Sequence, residues 1–427
     1  MCLESSAFAC VHVVFFLAMV FDLKKLFHIL LIIVGTLYIP IALHAKPLQY
    51  GIDVLDADRC RDLQGKRVAL ITNAAGTTLT GEPDYKVFLR HGLNLKYLMA
   101  PEHGFRAIVE AGVSVEDEKL DDKLQVYSLY GSSRKPDVTL LQNTVDVLVF
   151  DLQDIGARCY TYISTMRYAM EACEEAGVSF MVLDRPNPLA PVPADGFMLD
   201  PDYMSFVGLV PVPFIHAMTV GEIALFLKER FYPDLRLQVV AMKGYNRQRF
   251  LDDYPGTRFA SPSPNIRNLE TVLVYPATVF LEATNVSEGR GTPLPFRQLG
   301  APFINAEFLK KELESRKLPG VSFLAVQFIP SSGKFKGLQC SGVRLHVTDR
   351  FVFEPFRTAV AIILSLQKLY PGLFDLEARG DFFDKLAGGP LFRKMVLSGR
   401  SLEEILAASR LQVHAFEQAY PDRYIYE

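Results

Sequence analysis

Residues 145–188 read VDVLVFDLQDIGARCYTYISTMRYAMEACEEAGVSFMVLDRPNP, and this stretch decides the fold. Val145–Phe150 is a short apolar run, as expected of a strand covered on both faces. Tyr162–Ala176 repeats its apolar residues at helical spacing, and Gly177 stands where a helix C-cap is needed. Val178–Leu183 is a second apolar run. Strand, helix and strand in that order predict two parallel strands joined by a crossover helix. Working outward, Arg67–Thr72 and Leu93–Ala100 read as two more buried strands. Thr219 and Glu222 form a capping box for a helix over Val220–Arg230. The alternation predicts a Rossmann-like α/β domain with a parallel sheet over residues 46–270. Beyond about residue 270 the pattern changes. Tyr275–Leu281 reads as a strand, and helices are expected over Ala306–Arg316, Glu354–Leu369 and after the Ser401/Glu404 capping box. These predict a smaller α/β or α+β domain over residues 271–427.

Composition limits the partners. The 427 residues carry 45 Lys and Arg against 48 Asp and Glu, a net charge of −3, so there is no basic field to hold nucleic acid. Residues 1–45 differ from the rest. Lys24 and Lys25 precede an almost uncharged run, Leu26–Leu43, that ends in Leu43-His44-Ala45. A basic flank, an apolar run and a small residue describe a signal peptide, or an uncleaved membrane anchor. The chain is therefore expected to be exported, periplasmic or extracellular, with no membrane contact beyond this segment. The other four cysteines, Cys60, Cys159, Cys173 and Cys340, lack CxxC spacing, and buried free thiols are the preferred reading.

Four polar clusters follow the four strands: Thr72-Asn73, then Pro101-Glu102-His103-Gly104, then Asp151-Leu152-Gln153-Asp154, then Asp184-Arg185-Pro186-Asn187. In open α/β sheets the carboxyl ends of the strands are where ligands bind. No GxGxxG or GxxxxGK[ST] follows the first strand, so no nucleotide cofactor is expected. Glu102-His103 is the sharpest pair, since Gly104 lets the backbone turn and present both side chains to the cleft. Asp151 and Asp154 either join this site or cap the helix that follows. Arg158 and Tyr160 suit a carboxylated sugar, which offers an acid to clamp and a face to stack on, and an internal Arg–Asp pair is the competing reading. His216, ahead of the capped helix, lines the cleft or is packed in the core. Glu282, Glu288 and Arg290 lie in a loop with Gly289 and Gly291, whose backbone is expected to approach something closely. Without HExxH or paired-His spacing no metal is expected, although Glu102, His103, Asp151 and Asp154 leave a metal-dependent hydrolase as a competitor.

Together these residues resemble the NamZ-type exo-β-N-acetylmuramidases of peptidoglycan recycling. The resemblance rests on PEHGFRA (101–107), SLYG (128–131), DLQDIGARCYTYISTM (151–166), LDRPNP (183–188), HAMTVGE (216–222), PSPNI (262–266) and EATNVSEGRGTPLPF (282–296). It implies a Rossmann-like domain and a smaller C-terminal domain with the active site in the cleft between them. It implies release of N-acetylmuramic acid from the non-reducing ends of glycans, with peptidoglycan fragments as partners. Glu102 takes the leading catalytic position. Cleaving a glycosidic bond calls for an acid and usually a second carboxylate, for which Asp151, Asp154, Glu282 and Glu288 are candidates. Asn73, Arg158, Tyr160, Asp184, Arg185, Asn187, His216 and Arg290 are the candidate substrate contacts. Ala107 and Ala217 stand where the family has glycine, and Phe259 where it has tryptophan. A non-catalytic muropeptide-binding protein on the same fold is the alternative.

Overall fold

The computed structural model describes residues 47–120 and 124–427. The reading of residues 1–45 as a signal or anchor lies outside the described residues. Residues 48–427 form one compact unit. Its larger layer is a seven-stranded sheet in the order β3-β4-β2-β1-β5-β6-β7. The strands are β1 (Arg67–Thr72), β2 (Asn94–Ala100), β3 (Glu118–Leu120), β4 (Leu124–Ser128), β5 (Val147–Asp151), β6 (Ser179–Leu183) and β7 (Leu237–Val240). Every neighbouring pair is parallel except β3 with β4.

The four predicted strands are the four central ones. β1 and β5 are buried almost throughout, which is why they read as unbroken apolar runs. The strands missed from sequence, β3 and β7 at the sheet edges and β4 beside β3, are short and half-exposed, with too little hydrophobic pattern to register. From β1 the chain moves to β2 and β4 on one side, then to β5, β6 and β7 on the other. The strand order reverses between β1 and β5, and such a reversal opens a crevice at the strands' carboxyl ends.

The helix Tyr162–Ala176 forms as predicted, with Gly177 at its C-cap in a left-handed conformation (φ 65°). It buries ten of its fifteen residues. The Thr219/Glu222 capping box opens the helix Val220–Phe231, and the Ser401/Glu404 box opens Leu402–Ala419.

Tyr275–Leu281 is not a strand. It belongs to a helix, Leu269–Thr278, continued by a 3-10 turn, Val279–Ala283. Asn268 caps the helix by accepting from the Thr271 N–H. Eight of its ten residues are buried, so the helix is apolar all round and the 3.6-residue period that would betray it is missing.

The C-terminal part adds a three-stranded antiparallel sheet, ordered β8 (Gln298–Ala301), β10 (Cys340–Val347), β9 (Val321–Phe328). One apolar cluster runs from Ile71 and Phe150 through Phe214 and Phe280 to Phe356 and Phe416, so the two parts share a core. Cys60, Cys159, Cys173 and Cys340 are buried free thiols.

Candidate active site

The loop after β2 carries the first acid. Ala100 ends the strand and is buried, and the chain then turns sharply through Glu102, His103 and Gly104. His103 (φ 75°) and Gly104 (φ 74°) are both left-handed. Glycine adopts this conformation freely, but histidine does so at a cost, so His103 is held by its surroundings. Its Nδ1 lies 2.7 Å from the Val109 carbonyl. A carbonyl only accepts, so Nδ1 carries the proton and Nε2 is left as an acceptor. Burial lowers the His103 pKa, although Glu102 beside it opposes the shift, and the ring is neutral at neutral pH. Glu102 is 6% exposed. Its Oε1 accepts from the Gly112 N–H at 2.9 Å and its Oε2 from the Thr161 hydroxyl at 2.7 Å. Among the described residues no Lys or Arg forms an ion pair with it.

The loop after the 3-10 turn supplies the opposite wall. Glu282 Oε1 accepts from Arg290 Nη2 at 2.6 Å and Nε at 3.1 Å. Glu288 Oε1 lies 3.4 Å from Arg290 Nε, and its Oε2 accepts from Lys334 Nζ at 3.0 Å. Burial alone would lower the Arg290 pKa, but the carboxylates of Glu282 and Glu288 hold it above the usual arginine value. Arg290 also lies 4.9 Å from the centre of the Phe296 ring. The close approach expected of the glycines is present: a Cβ on Gly291 (φ 75°) would sit 2.4 Å from the Ser332 carbonyl oxygen.

These walls enclose a cavity of about 450 Å³, within the range of about 300–1,000 Å³ usual for small-molecule sites. Six of the sequence candidates line it together: Glu102, His103, Tyr160, Glu282, Glu288 and Arg290. Ser263, Asn265 and Ile266 of the PSPNI segment, Tyr130 of SLYG, and Thr161 are also on its walls. Lys334, Arg379 and Phe382 line it too, from segments in which no motif was read. A smaller cavity of about 290 Å³ lies elsewhere, among Phe250, Leu273 and Leu345. Its charged rim is paired, Arg297 with Glu270 and Arg350 with Asp252.

The other candidates lie outside the cavity, and each is engaged within the protein. Asp151 and Arg185 form a bidentate pair at 2.5 and 2.8 Å, with side chains 0% and 2% exposed. Next to them Asp84 is held well above the usual carboxylate pKa by burial and by the charge of Asp151. Asp154 Oδ2 accepts from the Gly156 N–H at 2.7 Å and lies 3.2 Å from Nε2 of the fully buried His216. His216 Nδ1 accepts from Met218 N, so Nε2 holds the ring proton and donates it to Asp154. Arg158 is fully buried. Its Nη1 donates to the carbonyls of Phe197 and Val212, at 2.7 and 2.8 Å, and burial lowers its pKa to about 10.

Asp184 accepts from the Gly221 N–H and from the hydroxyls of Thr219 and Tyr426, fixing the start of a helix, and burial raises its pKa to about 6. Asn187 donates to the Met218 carbonyl. Asn73 donates to the Tyr162 hydroxyl, which in turn donates to the Pro262 carbonyl, tying the loop after β1 to the PSPNI segment. Among the described residues no group of three or more His, Cys, Asp or Glu side chains could hold a metal ion.

A buried carboxyl without a counter-ion, facing two carboxylates that have theirs, is the equipment that cleaving a glycosidic bond requires. It places the chain with the carboxylate-dependent glycoside hydrolases. The comparisons with known proteins narrow this. The model of the exo-β-N-acetylmuramidase NamZ N-terminal domain matches residues 68–270, and that of the C-terminal domain matches residues 273–426. The chain belongs to the exo-β-N-acetylmuramidase NamZ family. The peptidoglycan β-N-acetylmuramidase NamZ of Bacillus subtilis (strain 168) is 45% identical over 388 residues, covering 89% of this chain and 92% of that protein. The crystal structures of two DUF1343 family proteins from Bacteroides fragilis NCTC 9343 share the fold. One has a TM-score of 0.82 at 32% identity and the other 0.70 at 28%, each alignment covering 89% of this chain and 99% of the other.

Proposed function

We propose that this chain is an exported exo-β-N-acetylmuramidase that removes N-acetylmuramic acid from the non-reducing ends of peptidoglycan fragments, with Glu102 as its acid. Family membership and the Bacillus subtilis relative support the reaction. Lys24-Lys25 followed by Leu26–Leu43 supports export. The observation that carries the catalytic assignment is the contrast among the three cavity carboxyls. Glu282 and Glu288 are ion-paired with Arg290 and Lys334, whereas Glu102 meets the neutral Thr161 hydroxyl, Gly112 N–H and Tyr130 hydroxyl and, among the described residues, no Lys or Arg. Glu102 is thus the carboxyl free to exchange a proton with the glycosidic oxygen.

Glu282 uses only Oε1 on Arg290, so Oε2 remains for the substrate. We assign it the role of second carboxylate, facing the positive charge that develops at the anomeric carbon. His103 Nε2 offers a neutral acceptor to a sugar hydroxyl or a water.

The test is hydrolysis of a chromogenic β-N-acetylmuramide and the matching β-N-acetylglucosaminide. Selective release from the muramide is expected, falling about 10²–10⁴-fold in Glu102→Gln with the melting temperature retained. Undiminished release by Glu102→Gln would move the acid elsewhere, and no release from either sugar by the folded protein would overturn the reaction.

A further inference from the structure

Three permanent or near-permanent cations line the cavity: Arg290, Lys334 and Arg379. They differ in what holds them. Arg290 is paired with Glu282 and Glu288. Lys334 directs its ammonium at three acceptors, the carbonyls of Leu281 (2.5 Å) and Val286 (3.0 Å) and the carboxylate of Glu288 (3.0 Å), which is as many bonds as it has hydrogens. Arg379 has no carboxylate within ion-pair distance among the described residues. Its Nη1 donates to the Glu282 backbone carbonyl at 2.8 Å, and its guanidinium lies 4.7 Å from the centre of the Phe382 ring, itself a cavity wall. Those two contacts fix the plane of the fork and leave its other donors free.

We propose that Arg379 receives the lactyl carboxylate of the substrate and so sets the preference for N-acetylmuramic acid over N-acetylglucosamine. This deepens the muramidase reading and rests on it. The two sugars differ at the 3-oxygen, where N-acetylmuramic acid carries a carboxylate and N-acetylglucosamine a hydroxyl. Selecting the acid calls for a positive charge not already neutralised, and a planar guanidinium gives the two parallel N–H donors that match a carboxylate. Arg290 and Lys334 do not meet the first condition. The bond from Arg379 to the Glu282 carbonyl also ties recognition of the acid to the segment carrying the second carboxylate. Arg379 is exposed at the cavity mouth, so water competes and the lower part of the range for a charged hydrogen bond applies. The expected effect is about tenfold rather than a hundredfold.

Three substrates test this: the chromogenic β-N-acetylmuramide, the same compound as its lactyl methyl ester, and the β-N-acetylglucosaminide. In the unmodified protein the acid is expected to be the best substrate. In Arg379→Ala, KM for the acid rises about tenfold relative to KM for the ester, so the acid-to-ester ratio of kcat/KM falls by about that factor. Arg379→Lys, which keeps the charge, recovers part of the preference. An acid-to-ester ratio in Arg379→Ala equal to that of the unmodified protein would overturn the proposal and leave the muramidase reading standing. Failure of the unmodified protein to cleave any muramide would overturn that reading and this proposal with it. Should Arg379→Ala fold poorly, Arg379→Gln keeps a donor for the Glu282 carbonyl and is read in the same way.

Discussion

Asp151→Asn separates a structural aspartate from a catalytic one. Asp151 ends β5 at the crevice where strand order reverses, the place a catalytic residue would be sought. Yet both its oxygens bind Arg185, at 2.5 and 2.8 Å, and neither side chain has appreciable exposure. Removing one member of such a pair leaves the other charge buried and uncompensated, at a cost of about 3–5 kcal/mol.

A second acid limits the loss. Burial and the charge of Asp151 hold the Asp84 pKa well above the usual carboxylate value; with that charge gone the pKa falls, favouring an ionised Asp84 that offsets part of the charge on Arg185. The single variant is therefore expected near 3 kcal/mol, and Asp84→Asn in the same chain brings the loss toward 5 kcal/mol. At about 2.1 cal/mol/K per residue, the unfolding entropy of Leu48–Glu427 is roughly 0.8 kcal/mol/K, so the melting temperature falls by about 4 °C and then about 6 °C. The assay is a thermal melt at pH 7 beside kcat for the muramide at 25 °C, where the variants remain folded. The expectation is a lower melting temperature with kcat within about twofold. An unchanged melting temperature with kcat reduced a hundredfold or more would refute the structural assignment and move Asp151 into the catalytic set.

Two further predictions concern stability. His103 has a lowered pKa in the folded chain, so between that value and the unfolded value near 6.5 the unfolded state binds more protons. Its contribution is fully present above pH 6.5 and is lost as pH falls below it; His103→Gln should flatten denaturant-measured stability against pH in that window, and a slope identical to that of the unmodified protein would refute the point. Ala107 and Ala217 are both at φ 56°, and both stand where the family resemblance places glycine. Relief of the left-handed strain, about 1–2 kcal/mol, outweighs the extra freedom glycine gives the unfolded chain, so each Ala→Gly change should raise stability by about 0.5–1 kcal/mol in urea titrations; a loss of stability in both would show that the strain is absent.

The central strands, the crossover helix and two capped helices were legible in the sequence because each is specified by its own residues: an apolar run, a 3.6-residue period, a Gly C-cap or a capping box. The edge strands β3 and β7 and the adjoining β4 were not legible, because short half-exposed strands are fixed by their neighbours rather than by their own pattern. The helix Leu269–Thr278 was misread, since a segment apolar on every side carries no period.

The same division runs through the site. Sequence placed Glu102, His103, Asp151, Asp154, Asp184 and Arg185 at strand ends, and local chemistry alone could not distinguish among them. Tertiary structure decided which acids had partners. Arg185 neutralises Asp151, His216 donates to Asp154, and Thr219, Gly221 and Tyr426 saturate Asp184, while Glu102 faces the cavity without a counter-ion. Lys334 and Arg379 carry no signal in any motif. They reach the cavity from loops far along the chain, and only packing brings Lys334 to the Glu288 carboxylate and Arg379 to the Glu282 backbone carbonyl. Residue type and spacing determine what a side chain can do. Whether its charge is already compensated depends on residues distant in sequence, and that is settled only when the chain is folded.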